Sequence, residues 1–66
     1  MFTKEEIKKQ YTDTQTLRNN VIVELGVTQD PVWRANLFAL NSLYHQALNS
    51  LEIMYFKMTG DNIWES

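Results

Sequence analysis

Apolar residues recur at alternating spacings of four and three over residues 31–59, which predicts one long helix. Residues with this spacing lie along one side of a helix, and an apolar heptad is typical of a seam between packed helices. Between residues 32 and 58, only Arg34, Glu52 and Lys57 carry a charge. Such a helix is expected to be covered by other polypeptide. The heptad series comprises Trp33, Leu37, Leu40, Tyr44, Ala47, Leu51, Met54 and Met58.

A second helical pattern precedes it and predicts a helix at about residues 4–25. Thr3 and Glu6 have the spacing of a capping box, in which the two side chains satisfy free amide groups at a helix start. Phe2 and Ile7 occupy the positions of a hydrophobic staple around that cap. The apolar stripe of this helix comprises Ile7, Tyr11, Thr14, Leu17, Val21, Ile22 and Leu25.

The end and the middle of this first helix carry separate signals. Gly26 is expected to end the helix in the left-handed conformation, with Val27 folding back on Ile22. Residues 12–16 are Thr-Asp-Thr-Gln-Thr, and such side chains compete for backbone hydrogen bonds and favour helix ends. A continuous helix, a kink in this segment and a break into two short helices therefore all stay open.

The second helix has clear boundaries. Asp30 followed by Pro31 is typical of an N-cap and the first helical position, and Gly60 is typical of the residue after a helix end. Lys57 lies in the last turn, where a cation interacts favourably with the helix dipole.

These boundaries predict an all-α fold. The link between the helices is short, so we expect them to pack antiparallel as a helical hairpin, with helices at about 4–25 and 31–59. Residues 1–66 are expected to form a single domain, of which residues 60–66 are a short C-terminal tail.

The two helices differ in length. At 1.5 Å per residue they span roughly 33 Å and 43 Å, so the first helix ends near residue 52 of the second. The apolar residues beyond this point have little cover from their own chain, and exposed apolar surface indicates an interaction site. Either the tail folds back over the end of the hairpin, or a second chain buries these residues. The predicted protein interface comprises Ile53, Tyr55, Phe56, Met58, Ile63 and Trp64.

The second helix is apolar on more than one side, and the first helix can cover only one of them. We therefore expect two hairpins to dimerise into a four-helix bundle through the second helix. The predicted oligomer seam comprises Leu37, Leu40, Tyr44, Leu48, Leu51 and Met54.

Composition supports association. The chain has 66 residues and no cysteine, so it has no disulfide, and domains of this size are marginally stable alone. Its net charge is −2 with six basic and eight acidic residues, and no basic stripe is present. No secretory leader or membrane span is expected, which favours a cytoplasmic protein.

No motif indicates catalysis or cofactor binding. His45 has Ser42 and Asn49 within one helical turn but no acidic residue there, so it lacks the partners of a catalytic triad. The two glycines, Gly26 and Gly60, lie at helix ends, which excludes a phosphate-binding loop. We expect a protein that is not an enzyme, with no catalytic residue, metal site or cofactor.

Three functions remain, and the first is favoured. It is a protein-binding module, a small adaptor or inhibitor of the kind common among phage and mobile elements, which binds itself as a homodimer and another protein.

The second is a nucleic-acid-binding helical hairpin that uses Lys4, Lys8, Lys9 and Arg18. Hairpin dimers that bind paired RNA loops, such as Rop, have a similar size and layout. That likeness is one of architecture, because no residue pattern of that family is present. The third function is a structural homo-oligomer within a larger assembly.

Overall fold

A computed structural model describes residues 3–65 as a helical hairpin. Helix α1 spans Lys4–Val27 and helix α2 spans Pro31–Thr59, and a short 3₁₀ helix at Ile63–Glu65 follows. No strand occurs among the described residues. The all-α hairpin expected from the sequence is therefore confirmed.

Three of the predicted helix caps are present. The Thr3 hydroxyl accepts a hydrogen bond from the Glu6 amide at 3.2 Å, as a capping residue does. The Asp30 carboxylate accepts from the amides of Val32 and Trp33, at 3.0 and 3.5 Å. Gly60 ends α2 in the left-handed conformation with φ 78°. The staple predicted for Phe2 lies outside the described residues.

The predicted end of α1 at Gly26 is wrong. The helix continues to Val27, and Thr28 is its C-cap, with the Thr28 amide donating to the Glu24 carbonyl at 2.9 Å. Gly26 does not have a positive φ, and Ile22 and Val27 are both exposed. A glycine within a helix costs only about 1 kcal/mol relative to alanine, so it does not force the chain to turn.

Helix α1 is continuous through residues 12–16. The Thr16 hydroxyl donates to the Thr12 carbonyl at 3.1 Å, one turn earlier. The Thr16 side chain thus bonds to a carbonyl of its own helix, and this segment does not break α1 into two short helices.

Contacts between the helices define an antiparallel register. Tyr11 bonds to Glu52 near one end of the hairpin, and Arg18 bonds to Asn41 nearer the turn. The protein is 43 Å long. Its main core lies toward the end away from the turn, and Leu51 packs against it. That core comprises Ile7, Tyr11, Leu48, Tyr55 and Ile63.

The buried face of α2 does not follow the heptad pattern of the sequence. Positions seven residues apart drift by about 20° per heptad on a straight α-helix. Leu37 is accordingly 1 % exposed, Leu51 is half-buried and Met58 is 50 % exposed. The row of the heptad that runs from Leu37 to Met58 therefore begins against α1 and ends facing outward, whereas the first heptad residue, Trp33, is 44 % exposed. The buried residues of α2 are Leu37, Leu48 and Tyr55.

Candidate protein-binding surfaces

Helix α2 carries most of the exposed apolar side chains. Among residues 3–65, α2 exposes eight large apolar side chains and α1 exposes four. Where exposed apolar side chains adjoin one another, they mark interaction sites in soluble proteins. The eight are Val32, Trp33, Phe38, Leu43, Ile53, Met54, Phe56 and Met58.

The first candidate surface runs along one side of α2, and we call it the outer seam. At 100° per residue, its positions fall within an arc of about 80° around the helix axis. Trp33, Leu43 and Met54 are 44, 60 and 38 % exposed. The outer seam comprises Trp33, Leu40, Leu43, Ala47, Met54 and Met58.

The three charged residues of α2 are directed away from the outer seam. Arg34 donates from Nη1 to the carbonyl of Leu25 at 2.6 Å, and Glu52 accepts from the Tyr11 hydroxyl at 2.8 Å. Lys57 lines a different surface, described next. The outer seam itself therefore contains no charged residue of α2.

The second candidate surface is a cavity of about 260 Å³ at the carboxyl end of α2, which we call the C-terminal groove. Ile53, Phe56 and Trp64 supply its apolar walls, and all three are about half-exposed or more. The polar lining comprises Asn49, Glu52, Lys57 and Asn62.

A tight chain reversal builds this groove. Gly60 takes a left-handed conformation, which residues with a Cβ rarely adopt. The Thr59 hydroxyl donates to the Tyr55 carbonyl at 3.0 Å and accepts from the Asp61 amide at 3.1 Å. The reversal buries Ile63 in the core, and the next residue, Trp64, is left exposed beside the groove.

A smaller polar cleft of about 130 Å³ lies between the helices. Tyr11 donates to Glu52, and the Arg18 Nε donates to Asn41 at 3.2 Å. Each of these groups therefore already has a partner within the hairpin. The cleft is lined by Tyr11, Gln15, Arg18, His45, Leu48, Asn49 and Glu52.

Burial raises the pKa of the Tyr11 hydroxyl above its ordinary value of 10.0, and the hydrogen bond to Glu52 and its negative charge raise it further. Arg18 acts in the opposite sense and lowers it. The phenol is thus kept protonated as a hydrogen-bond donor, which suits a structural role better than that of a general base.

The four cations considered for nucleic-acid binding do not form one surface. Lys4, Lys8 and Arg18 lie within about 80° on α1, but Lys9 lies roughly 100° from Lys8. The Lys9 ammonium is 3.8 Å from the Asp13 carboxylate. Arg18 already bonds to Asn41, which reduces its freedom to contact a phosphate.

The six residues predicted as the protein interface divide into three groups. Tyr55 and Ile63 are 4 and 5 % exposed and belong to the core, so the expectation that they face a partner is wrong. Met58 lies on the outer seam. The comparison of helix lengths left open whether the tail folds back over the end of the hairpin. It does, and Ile63 of the tail joins Tyr55 in the core. The residues of the C-terminal groove are Ile53, Phe56 and Trp64.

The predicted oligomer seam is also divided. Leu37 and Leu48 are buried against α1, so they do not face a second chain. Met54 is exposed. The half-buried residues of the predicted seam are Leu40, Tyr44 and Leu51.

Sequence reasoning missed two contributors to these surfaces. Leu43 was assigned to no site, although its spacing to Ala47 and Met54 places it on the outer seam. Asn62 lines the groove because of the reversal at Gly60. The glycine after a long apolar helix was the available signal for that reversal.

Neither helix combines the length and hydropathy that a membrane crossing requires. Residues 3–65 contain no group of three or more side chains able to hold a metal ion. No protein family, curated protein or solved structure matches this chain.

Proposed function

We propose that this protein is a non-enzymatic interaction module, a small adaptor or inhibitor that binds other polypeptides through α2 and the C-terminal 3₁₀ helix. The observation that carries the proposal is the exposure of eight large apolar side chains on α2, in a chain of 66 residues. Burying them against a partner would contribute roughly 25 cal/mol for each Å² removed from water.

The C-terminal groove is the proposed site for a foreign partner. Aromatic residues are favoured at the centres of protein interfaces, and Phe56 and Trp64 form two of its walls. Its volume of about 260 Å³ lies just below the ~300 Å³ at which small-molecule sites begin. It therefore suits one or two side chains inserted by another protein.

The outer seam is the proposed site for self-association. Two hairpins that pack through this seam would form a four-helix bundle, in which each α2 is covered by its own α1 and by the second copy. This assignment separates the two surfaces, because the groove lies outside the outer seam and stays accessible in the bundle.

Light scattering tests the self-association. The wild type is expected at the mass of a dimer and Met54→Glu at the mass of a monomer, because a carboxylate in the seam would lose water on pairing. Val23→Glu is the matched control, since Val23 is an exposed apolar residue of α1 and should leave the dimer intact. A monomeric wild type at high protein concentration would contradict this part of the proposal.

Affinity capture with two variants tests the groove. Phe56→Asp should abolish retention of a specific partner, while Met54→Glu should retain it. Retention should change little between low and moderate salt, since apolar docking releases no counterions. A steep loss with salt would favour nucleic-acid binding through Lys4, Lys8 and Arg18. Recovery of the chain's own copies alone would favour a structural homo-oligomer.

A further inference from the structure

We propose that the second copy pairs with the outer seam in an antiparallel orientation, α2 against α2, about a two-fold axis between residues 45 and 46. The inference rests on the proposed self-association and adds its direction and register. In this arrangement Trp33 of one copy lies beside Met58 of the other.

Charge argues that the occupant is a second copy. Helix α1 carries eight of the fourteen charged residues and α2 carries three, and Arg34 and Glu52 are bonded to α1. A two-fold interface brings the same patch of both copies together. The uncharged seam therefore meets an uncharged seam, and neither seam contains an ion whose desolvation would oppose pairing.

The exposed apolar side chains of the outer seam are of the size that a weak dimer needs. Four large ones, Trp33, Leu43, Met54 and Met58, are 44, 60, 38 and 50 % exposed. Burying the exposed half of all eight side chains in the pair would contribute about 6–12 kcal/mol. This is comparable with the association cost of ~4–15 kcal/mol that a dimer must offset, so the seam can support a dimer at high protein concentration.

The side chains of the seam favour the antiparallel direction. A parallel pair would place Ala47 opposite Ala47 and leave a gap at the centre of the contact, which a close-packed interior does not tolerate. In the antiparallel pair Ala47 lies beside Tyr44 of the other copy, so a small side chain meets a large one. In the antiparallel pair the sulfur of Met58 of one copy also lies beside the indole of Trp33 of the other copy, and contacts between sulfur and aromatic rings are favourable.

The midpoint of the seam fixes the register. The seam runs from residue 33 to residue 58, so only an axis between residues 45 and 46 overlaps its whole length in both copies. The opposed dipoles of antiparallel helices add a further favourable contribution.

Disulfide cross-linking tests the proposal, because the chain contains no cysteine. Asn36 and Met54 are 18 residues apart, which is five helical turns, so both face the partner copy. An equal mixture of Asn36→Cys and Met54→Cys should form a 36–54 disulfide between copies under mild oxidation. Each variant alone should form none, because its cysteines would lie more than about 20 Å apart in the dimer.

Asn49→Cys is the matched control, because Asn49 lies near the proposed axis but lines the groove on another side of α2. It should not cross-link. Homodisulfides of Asn36→Cys or of Met54→Cys would overturn the antiparallel pairing while leaving the dimer itself in place. A monomer in light scattering would overturn both the pairing and the proposed self-association, but not the groove.

Discussion

The two ends of the hairpin are closed by different interactions. At the end away from the turn, which we call the open end, an apolar cluster holds the helices together. Helices α1 and α2 and the 3₁₀ helix all contribute to it. At the turn end, the guanidinium of Arg34 donates to the carbonyls of Leu25 and Thr28, at 2.6 and 3.1 Å. The same guanidinium lies 5.7 Å from the centre of the Phe38 ring.

The difference follows from what each end offers. The last carbonyls of a helix lack partners within it and carry partial negative charge, so a cation closes the turn end where α1 stops. At the open end α2 extends past α1, and its apolar residues need cover. The tail supplies that cover through Ile63, and it brings Trp64 to the surface as it does so.

Removing a buried side chain at either end should have the largest effect. Ile7 and Leu37 are both 1 % exposed, and Ile7→Ala and Leu37→Ala should each lower the free energy of unfolding by about 2–5 kcal/mol. Only Ile7→Ala should also speed amide exchange at residues 63–65, because only Ile7 belongs to the cluster that holds the tail.

Urea unfolding followed by circular dichroism measures the stabilities, and hydrogen exchange measures the tail. If Ile7→Ala does not fold, Ile7→Val replaces it. This variant should lower the free energy of unfolding by about 1 kcal/mol and should still speed amide exchange at the tail. Equal exchange at the tail in both variants would mean that the two ends open as one unit.

Replacing the cation at the turn end should have an intermediate effect. Arg34→Met keeps a long apolar side chain but loses both bonds to carbonyls, which should cost about 1–2 kcal/mol for this half-buried group. Arg34→Lys should recover part of the loss, because it restores the charge without the planar fork. Thermal unfolding of both variants at low and high salt measures the recovery. Equal stability of Arg34→Met and Arg34→Lys would show that the hydrogen-bond geometry of the guanidinium, and not its charge, stabilises the turn end.

Removing the hydrogen bond between Tyr11 and Glu52 at the open end should lower the stability by less than the changes above. Tyr11→Phe removes the hydrogen bond to Glu52, which should lower the free energy of unfolding by about 1 kcal/mol near neutral pH. The pKa of Tyr11 is raised in the folded state, so its contribution is complete below the unfolded pKa near 10. It is lost as the pH rises through the folded pKa.

The difference in stability between wild type and Tyr11→Phe should therefore shrink above about pH 10. Urea unfolding of both proteins at pH 7 to 11 measures it, and the other titrating groups cancel in the difference. A gap that stays constant over this range would show that folding does not raise the pKa of the Tyr11 phenol.

A change at the exposed surface of α1, outside the contacts that close either end, should have the smallest effect. Lys9 and Asp13 are 3.8 Å apart, with side chains 80 and 63 % exposed, and exposed pairs of this kind contribute little. Lys9→Gln should change the free energy of unfolding by less than about 0.5 kcal/mol. A larger loss in urea unfolding would mean that the pair orders the start of α1.

Local signals predicted the elements of the fold correctly. Thr3, Asp30 and Gly60 act as helix caps, and each does so through its own side chain or backbone freedom. The glycine signal failed at Gly26, because the same residue type is also tolerated inside a helix. Only the hydrogen bond from Thr28 to Glu24 shows that the helix continues.

The sides of α2 were harder to predict. The heptad pattern describes a supercoiled seam, whereas packing on α1 selects positions near a period of 3.6 residues. Tyr55 was assigned to an interface because its cover comes from the tail, and the reversal at Gly60 that brings the tail back is a tertiary feature. The distinction between core and surface at the open end thus required the structure.

The adjacency of Ile63 and Trp64 couples the groove to the stability of the whole hairpin. One residue is part of the core and the next is a wall of the groove, so the groove exists only while the tail is docked. A molecule that binds there would bind only the folded chain, and by mass action it would raise the melting temperature. Thermal shift is therefore a direct screen for occupants of this groove, even before any partner is identified.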